Sequence, residues 1–249
     1  MNSPAVNQPV AVPSLADDES RRLAARMREL VAAMAATPGI DTFAATGWLP
    51  DSFFDTLTDL YAAYDAFIAH NIQASQLQIV CKFGCTRCCH QAVYGCYAFE
   101  IINLYRQLRH RDDYAALHEA FARSADEFHG MLLRYIEKAG GREDLALVNT
   151  LQHYAALAKP CPLLAGDNCG VYAQRPVSCR MYYSLTNPIL CTTVVGRTFH
   201  LLPPPEISAA LVELNQRLVF PYSEFLAQGL VVFASQRQFR PWGAPIQAT

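Results

Sequence analysis

Cys81-Lys82-Phe83-Gly84-Cys85-Thr86-Arg87-Cys88-Cys89 places four thiols in a nine-residue run. Cys161, Cys169, Cys179 and Cys191 answer it far downstream, so eight of the nine cysteines fall into two clusters. Thiols two or three residues apart suit chelation, because a short loop presents both sulfurs to one ion. If the run is helical, Cys81, Cys85, Cys88 and Cys89 share one face; if it is a loop, Gly84 allows the turn that brings Cys81 and Cys85 together. Adjacent residues diverge in regular structure. The vicinal Cys88-Cys89 pair therefore suggests two ions, or one ligand beside a packing or supporting cysteine. Cys96 stands apart from the clusters and reads as an ordinary core residue.

The surrounding chain reads as mainly α, a helical scaffold around an irregular cysteine-rich segment with at most a short hairpin. Of its 249 residues 52% are apolar and 17% charged, enough to bury a core without help from metal. Residues 1–14 lack periodicity and read as a mobile tail. Residues 15–77 form an N-terminal helical extension. Its first helix runs to about Ala36, capped by Ser14 or Asp17, with Leu23, Met27, Leu30, Val31 and Met34 inward. Its second starts at Asp51 as cap and buries Phe54, Leu57, Leu60, Tyr61, Tyr64 and Phe67.

Residues 78–202 form the cysteine-rich metal-binding domain. Helices are expected over 97–110, over 113–138 (with Leu117, Phe121, Phe128, Leu132 and Tyr135 buried) and over 143–158. Gly140-Gly141 stops the second of these. Residues 192–202 are β-branched enough for a strand or hairpin. Residues 203–249 complete the core: 206–228 reads as one helix, and the stretch after Gly229 fits a strand or a short helix equally.

These motifs resemble the YkgJ-like family of predicted zinc- or iron-chelating proteins, named for a CxxCxxCC-type motif. The resemblance is carried by the run at 81–89, Glu100, Cys161-Pro162-Leu163-Leu164, Cys169-Gly170-Val171-Tyr172, Arg175-Pro176, Cys179-Arg180 and Cys191, and covers residues 78–191. It implies a metal ligand set drawn from Cys81, Cys85, Cys88, Cys89, Cys161, Cys169, Cys179 and Cys191. Flagellin lysine methylases carry a similar cysteine pattern, so the resemblance extends to enzymes.

Four thiolates on Zn²⁺ or on a [4Fe–4S]²⁺ core each leave a net −2. Lys82, Arg87, Arg175 and Arg180 are placed to offset it. Zinc and an iron–sulfur cluster both remain open as cofactor. The expected role is metal handling or a structural and interaction role, with a protein partner as well as the metal. The rivals are an iron–sulfur-dependent, methyltransferase-like protein-modifying enzyme and a vicinal-thiol redox sensor. His90 reads as a surface or supporting residue rather than a ligand.

A net charge of −2 argues against general nucleic-acid binding, and no apolar run suits a membrane helix. The N-terminus lacks the basic and apolar regions of a signal peptide, so a reducing cytoplasm is the expected compartment. Phosphate-loop, dinucleotide-loop, zinc-protease and nucleophile-elbow motifs do not occur.

Overall fold

The computed structural model describes residues 17–76, 78–82, 84–185, 191, 198–218 and 222–237. The fold is mainly helical. Nine α-helices account for most of the described residues, and strands contribute two short antiparallel pairs.

Helix α1 (Asp18–Ala35) starts where Asp17 Oδ1 accepts the Ser20 backbone N–H at 2.8 Å, the side-chain cap that relieves an unpaired N–H. A single turn, α2 (Phe43–Thr46), leads to α3 (Asp51–Ala74), whose N-cap is Pro50; Asp51 instead lies in the first turn. There its carboxylate favours the helix dipole rather than capping it. All the apolar positions expected inward on α1 and α3 are buried, and the two helices pack against each other. The tail at 1–14, and the alternative cap Ser14, lie outside the described residues.

Helices α4 (Ala98–Leu108), α5 (Tyr114–Lys138) and α6 (Glu143–Ala156) follow. Helix α5 ends at Gly140 and Gly141, both at positive φ, where the Gly141 N–H returns to the Ile136 carbonyl at 2.9 Å. Its core face is rotated from the expected one. Phe121, Ala125, Phe128 and Met131 are buried, while Leu117, Leu132 and Tyr135 are half-buried, because α6 and α9 divide the contact between them.

The second cysteine region folds as a minimal hairpin, β1 (Leu164–Ala165) with β2 (Asn168–Cys169), then a one-turn helix α7 (Val177–Arg180). Strand β3 (Tyr182–Ser184) pairs antiparallel with β4 (Thr198–His200) in the register Tyr183 to Phe199. The strand expected over 192–202 is therefore present in its last third; 192–197 lie outside the described residues.

Residues 206–228 are not one helix. They divide between α8 (Pro205–Arg217) and α9 (Leu226–Arg237), so the stretch after Gly229 is helix as far as Arg237 and the rest lies outside the described residues. The break lets α9 turn back onto α4. Asn215 Oδ1 accepts the first backbone N–H of α4 at 2.6 Å, and the Leu226 N–H reaches the Val93 carbonyl at 2.9 Å. One apolar core runs continuously from α1 to α9. No helix among the described residues is long and apolar enough to cross a membrane.

Gly229 sits at the closest approach of α9 to α4. A Cβ there would stand 2.6 Å from the Ser223 carbonyl oxygen and 2.9 Å from Ile101 Cδ1. Gly229→Ala is expected to lower stability by about 1–3 kcal/mol through overpacking, although alanine is the better helix former. Thermal and urea unfolding check it; a variant as stable as the parent would refute this close approach.

Candidate functional site

The described residues of 81–89 are irregular and run into a single 3₁₀ turn (Arg87–His90), so the one-face helical arrangement of the four thiols does not occur. Gly84 takes φ +81°, a left-handed conformation cheap only for glycine. The turn closes with the Cys85 N–H on the Lys82 carbonyl at 2.9 Å. Two backbone bonds fasten the loop to the distal cysteine region: Val80 N–H to Ser184 O at 3.1 Å, and Cys161 N–H to Cys89 O at 2.6 Å.

These attachments bring Cys81, Cys85, Cys88, Cys89, Cys161, Cys169 and Cys179 onto the wall of one cavity of about 540 Å³. Cys191 is buried nearby; its carbonyl accepts the Tyr182 hydroxyl at 3.2 Å, and its thiol bonds to Ser184. The thiols sort into two groups by which of them sense one another's charge. Cys161, Cys169 and Cys179 interact mutually and with Cys88; Cys81, Cys85 and Cys191 interact and also reach Cys88. Cys88 thus stands between the groups. It is hydrogen-bonded to Cys89, so the vicinal thiols do not diverge as regular structure would make them.

Six of these thiols hold their protons more firmly than a free thiol. Burial lifts Cys81 to about 11 against a hydrogen bond from the Ser184 N–H, and lifts Cys161 to about 11. Burial also raises Cys169, Cys191 and, most strongly, Cys179. Cys88 is the most open of the set, yet its bond to Cys89, followed by desolvation on the cavity wall, raises it well above the ordinary thiol value. Arg175 opposes this trend at Cys88, Cys169 and Cys179.

Among the described residues, no three His, Cys, Asp or Glu side chains are gathered closely enough to hold one ion. The thiols surround a space instead of converging on a point. Arg175 lines that space, and its buried Nε has no acceptor among the described residues.

Of the basic residues expected to offset thiolate charge, Lys82, Arg175 and Arg180 line the cavity. Arg180 is largely committed elsewhere. Only 2% exposed, it pairs with Asp65, donates from Nε to the Arg175 carbonyl at 2.9 Å and from Nη2 to the Ala173 carbonyl, and lies 4.2 Å over the Tyr61 ring. Asp65 and Tyr61 are one turn apart on α3, so a helix that reads as plain scaffold supports the site. Helical periodicity marked Tyr61 only as core, and Asp65 carried no sequence signal, since a lone Asp on a helix is unremarkable.

Glu100 is fully buried at the meeting point of three helices. Its Oε2 accepts the Tyr97 N–H at 3.0 Å at the start of α4. Its Oε1 accepts the Val177 N–H at 2.8 Å at the start of α7 and the Tyr61 hydroxyl at 3.2 Å. It therefore fixes the helix that carries Cys179. His90 binds the Thr86 carbonyl through Nδ1 at 2.9 Å, and Cys96 is buried in the core beside Ser178.

No family model, curated protein or solved structure matches this chain.

Burial raises Glu100 to about 7 against its three hydrogen bonds. Because the folded value exceeds the ordinary 4.5, its contribution to stability is complete below about pH 4.5 and is lost as pH rises through 7. The expected difference is about 3 kcal/mol across that window. Unfolding curves of the parent and Glu100→Gln between pH 4.5 and 8 should therefore differ in slope, the variant being flatter. Parallel curves would show that Glu100 stays ionised throughout.

Proposed function

We propose that this protein holds an iron–sulfur cluster through cysteine thiolates from both clusters, with Cys88, Cys161, Cys169 and Cys179 as ligands beside Arg175. The observation that carries the reading is the disposition of seven thiols around one cavity rather than at a point. Four thiolates on zinc, at Zn–S of ~2.3 Å, stand within about 4 Å of each other. A polynuclear cluster presents several irons to sulfurs spaced more widely, which suits an enclosing ring of thiols.

Two further observations favour it. The four named thiols lie within electrostatic range of one another. Arg175, reaching Cys88, Cys169 and Cys179 and retaining a buried N–H without an acceptor, supplies the charge and the donor that cluster sulfurs need. A bound cluster would supply one-electron transfer or Lewis-acidic iron. The remaining step belongs to the chain: the ligating thiols give up their protons.

The vicinal-thiol sensor fits less well, because a reactive cysteine requires lowered proton affinity and Cys88 has it raised. Cys81, Cys85 and Cys191 influence one another as well as Cys88 and are left for a supporting or second-site role.

Protein purified without air should be brown, with stoichiometric iron and acid-labile sulfide and a broad thiolate-to-iron absorption. Cys88→Ser should lose the iron, whereas Cys96→Ala should keep it. Reconstitution should be weaker at pH 6 than at pH 8, since each ligand must shed a tightly held proton. A colourless protein carrying one or two zinc ions per chain would replace the cluster with structural zinc. Iron unchanged in Cys88→Ser would remove that residue from the ligand set.

A further inference from the structure

The cavity is larger than its thiols require. At about 540 Å³ it has the size of a site for a small organic ligand, and apolar side chains line it alongside the thiols. The apolar part of the lining comes from Leu151 of α6, Leu163, Val171, Met181 and Leu226 of α9. Such walls give a ligand no orientation, which polar groups must supply.

Arg175 is the group on the page suited to do so. Its guanidinium is held in place by stacking at 4.2 Å on the Tyr172 ring. Its ion pair with Asp65 is long, 3.9 Å, because Arg180 takes that carboxylate more closely. Its Nε has no acceptor. A guanidinium carries five N–H donors, so offsetting thiolate charge does not exhaust it, and its fork matches a carboxylate in two parallel bonds. Lys82 lies exposed on the cavity wall and Asp167 offsets it. A single guanidinium fork pairs with the two oxygens of one carboxylate, so a monocarboxylate is the anion it suits.

We propose that the cavity binds a small organic carboxylate, its carboxylate on Arg175 and its apolar body against the Leu151, Leu163 and Met181 wall. The proposal deepens the iron–sulfur reading by giving that centre a ligand. Binding and iron content are therefore measured on the same anaerobically purified full-length protein. Binding without iron would overturn the cluster alone; iron without binding would overturn the ligand alone.

Phenylacetate is the probe, with its neutral amide and inorganic phosphate as comparisons, all by calorimetry. Phenylacetate should bind saturably, and the other two at least tenfold more weakly. Arg175→Met should bring phenylacetate down to the level of the amide. Leu151→Trp fills the apolar wall without touching Arg175 and should abolish binding of phenylacetate, which keeps the test open if Arg175→Met melts early. Equal binding of the amide, tighter binding of phosphate, no binding by the parent, or unchanged affinity in both variants would each overturn the proposal.

Discussion

The burial of one cation organises the middle of this molecule. Arg180 is enclosed almost completely, and an isolated guanidinium in that position would be strongly destabilising. It is tolerated because a carboxylate, two main-chain carbonyls and an aromatic face surround it: Asp65, Arg175 O, Ala173 O and Tyr61. Those partners come from α3 and from the turn leading into α7. Satisfying the one charge therefore fixes how the cysteine-bearing segment sits on the helical scaffold. Removing a partner leaves a buried charge uncompensated, which is why the arrangement specifies one geometry rather than many.

Glu100 works on the same junction from the other side. A carboxylate at the N-termini of α4 and α7 meets unpaired backbone N–H groups and the positive ends of two helices. Tyr61 belongs to both networks, since its hydroxyl donates to Glu100 and its ring underlies Arg180. The thiol of Cys179 is thus held by a framework of polar groups that does not itself touch the cavity's interior at every point. The loop at 81–89 is fastened more lightly, by a few backbone bonds.

Much of the fold was legible locally. Helical periodicity identified α1, α3, α4, α5 and α6, and Asp17, Gly140 and Gly141 marked ends that the structure confirms. The failures have a common physical origin. The single helix read over 206–228 breaks because α9 must return to α4, a demand of packing that a continuous periodic pattern does not contain. The core face of α5 turns for the same reason, as two neighbours compete for it.

The sequence by itself determined that the chain is mainly helical, where most helices begin and end, and that thiols are concentrated in two segments. Spacing and periodicity are properties of near neighbours, so one chain reveals them. Only the tertiary structure decided that seven of those thiols share a cavity, that Cys88 stands between two groups, and that Arg180 is claimed by Asp65 while Arg175 keeps a donor to spare. These are pairings between residues far apart along the chain. They follow from which buried charges and polar groups can be satisfied together, a condition met only when the helices have packed.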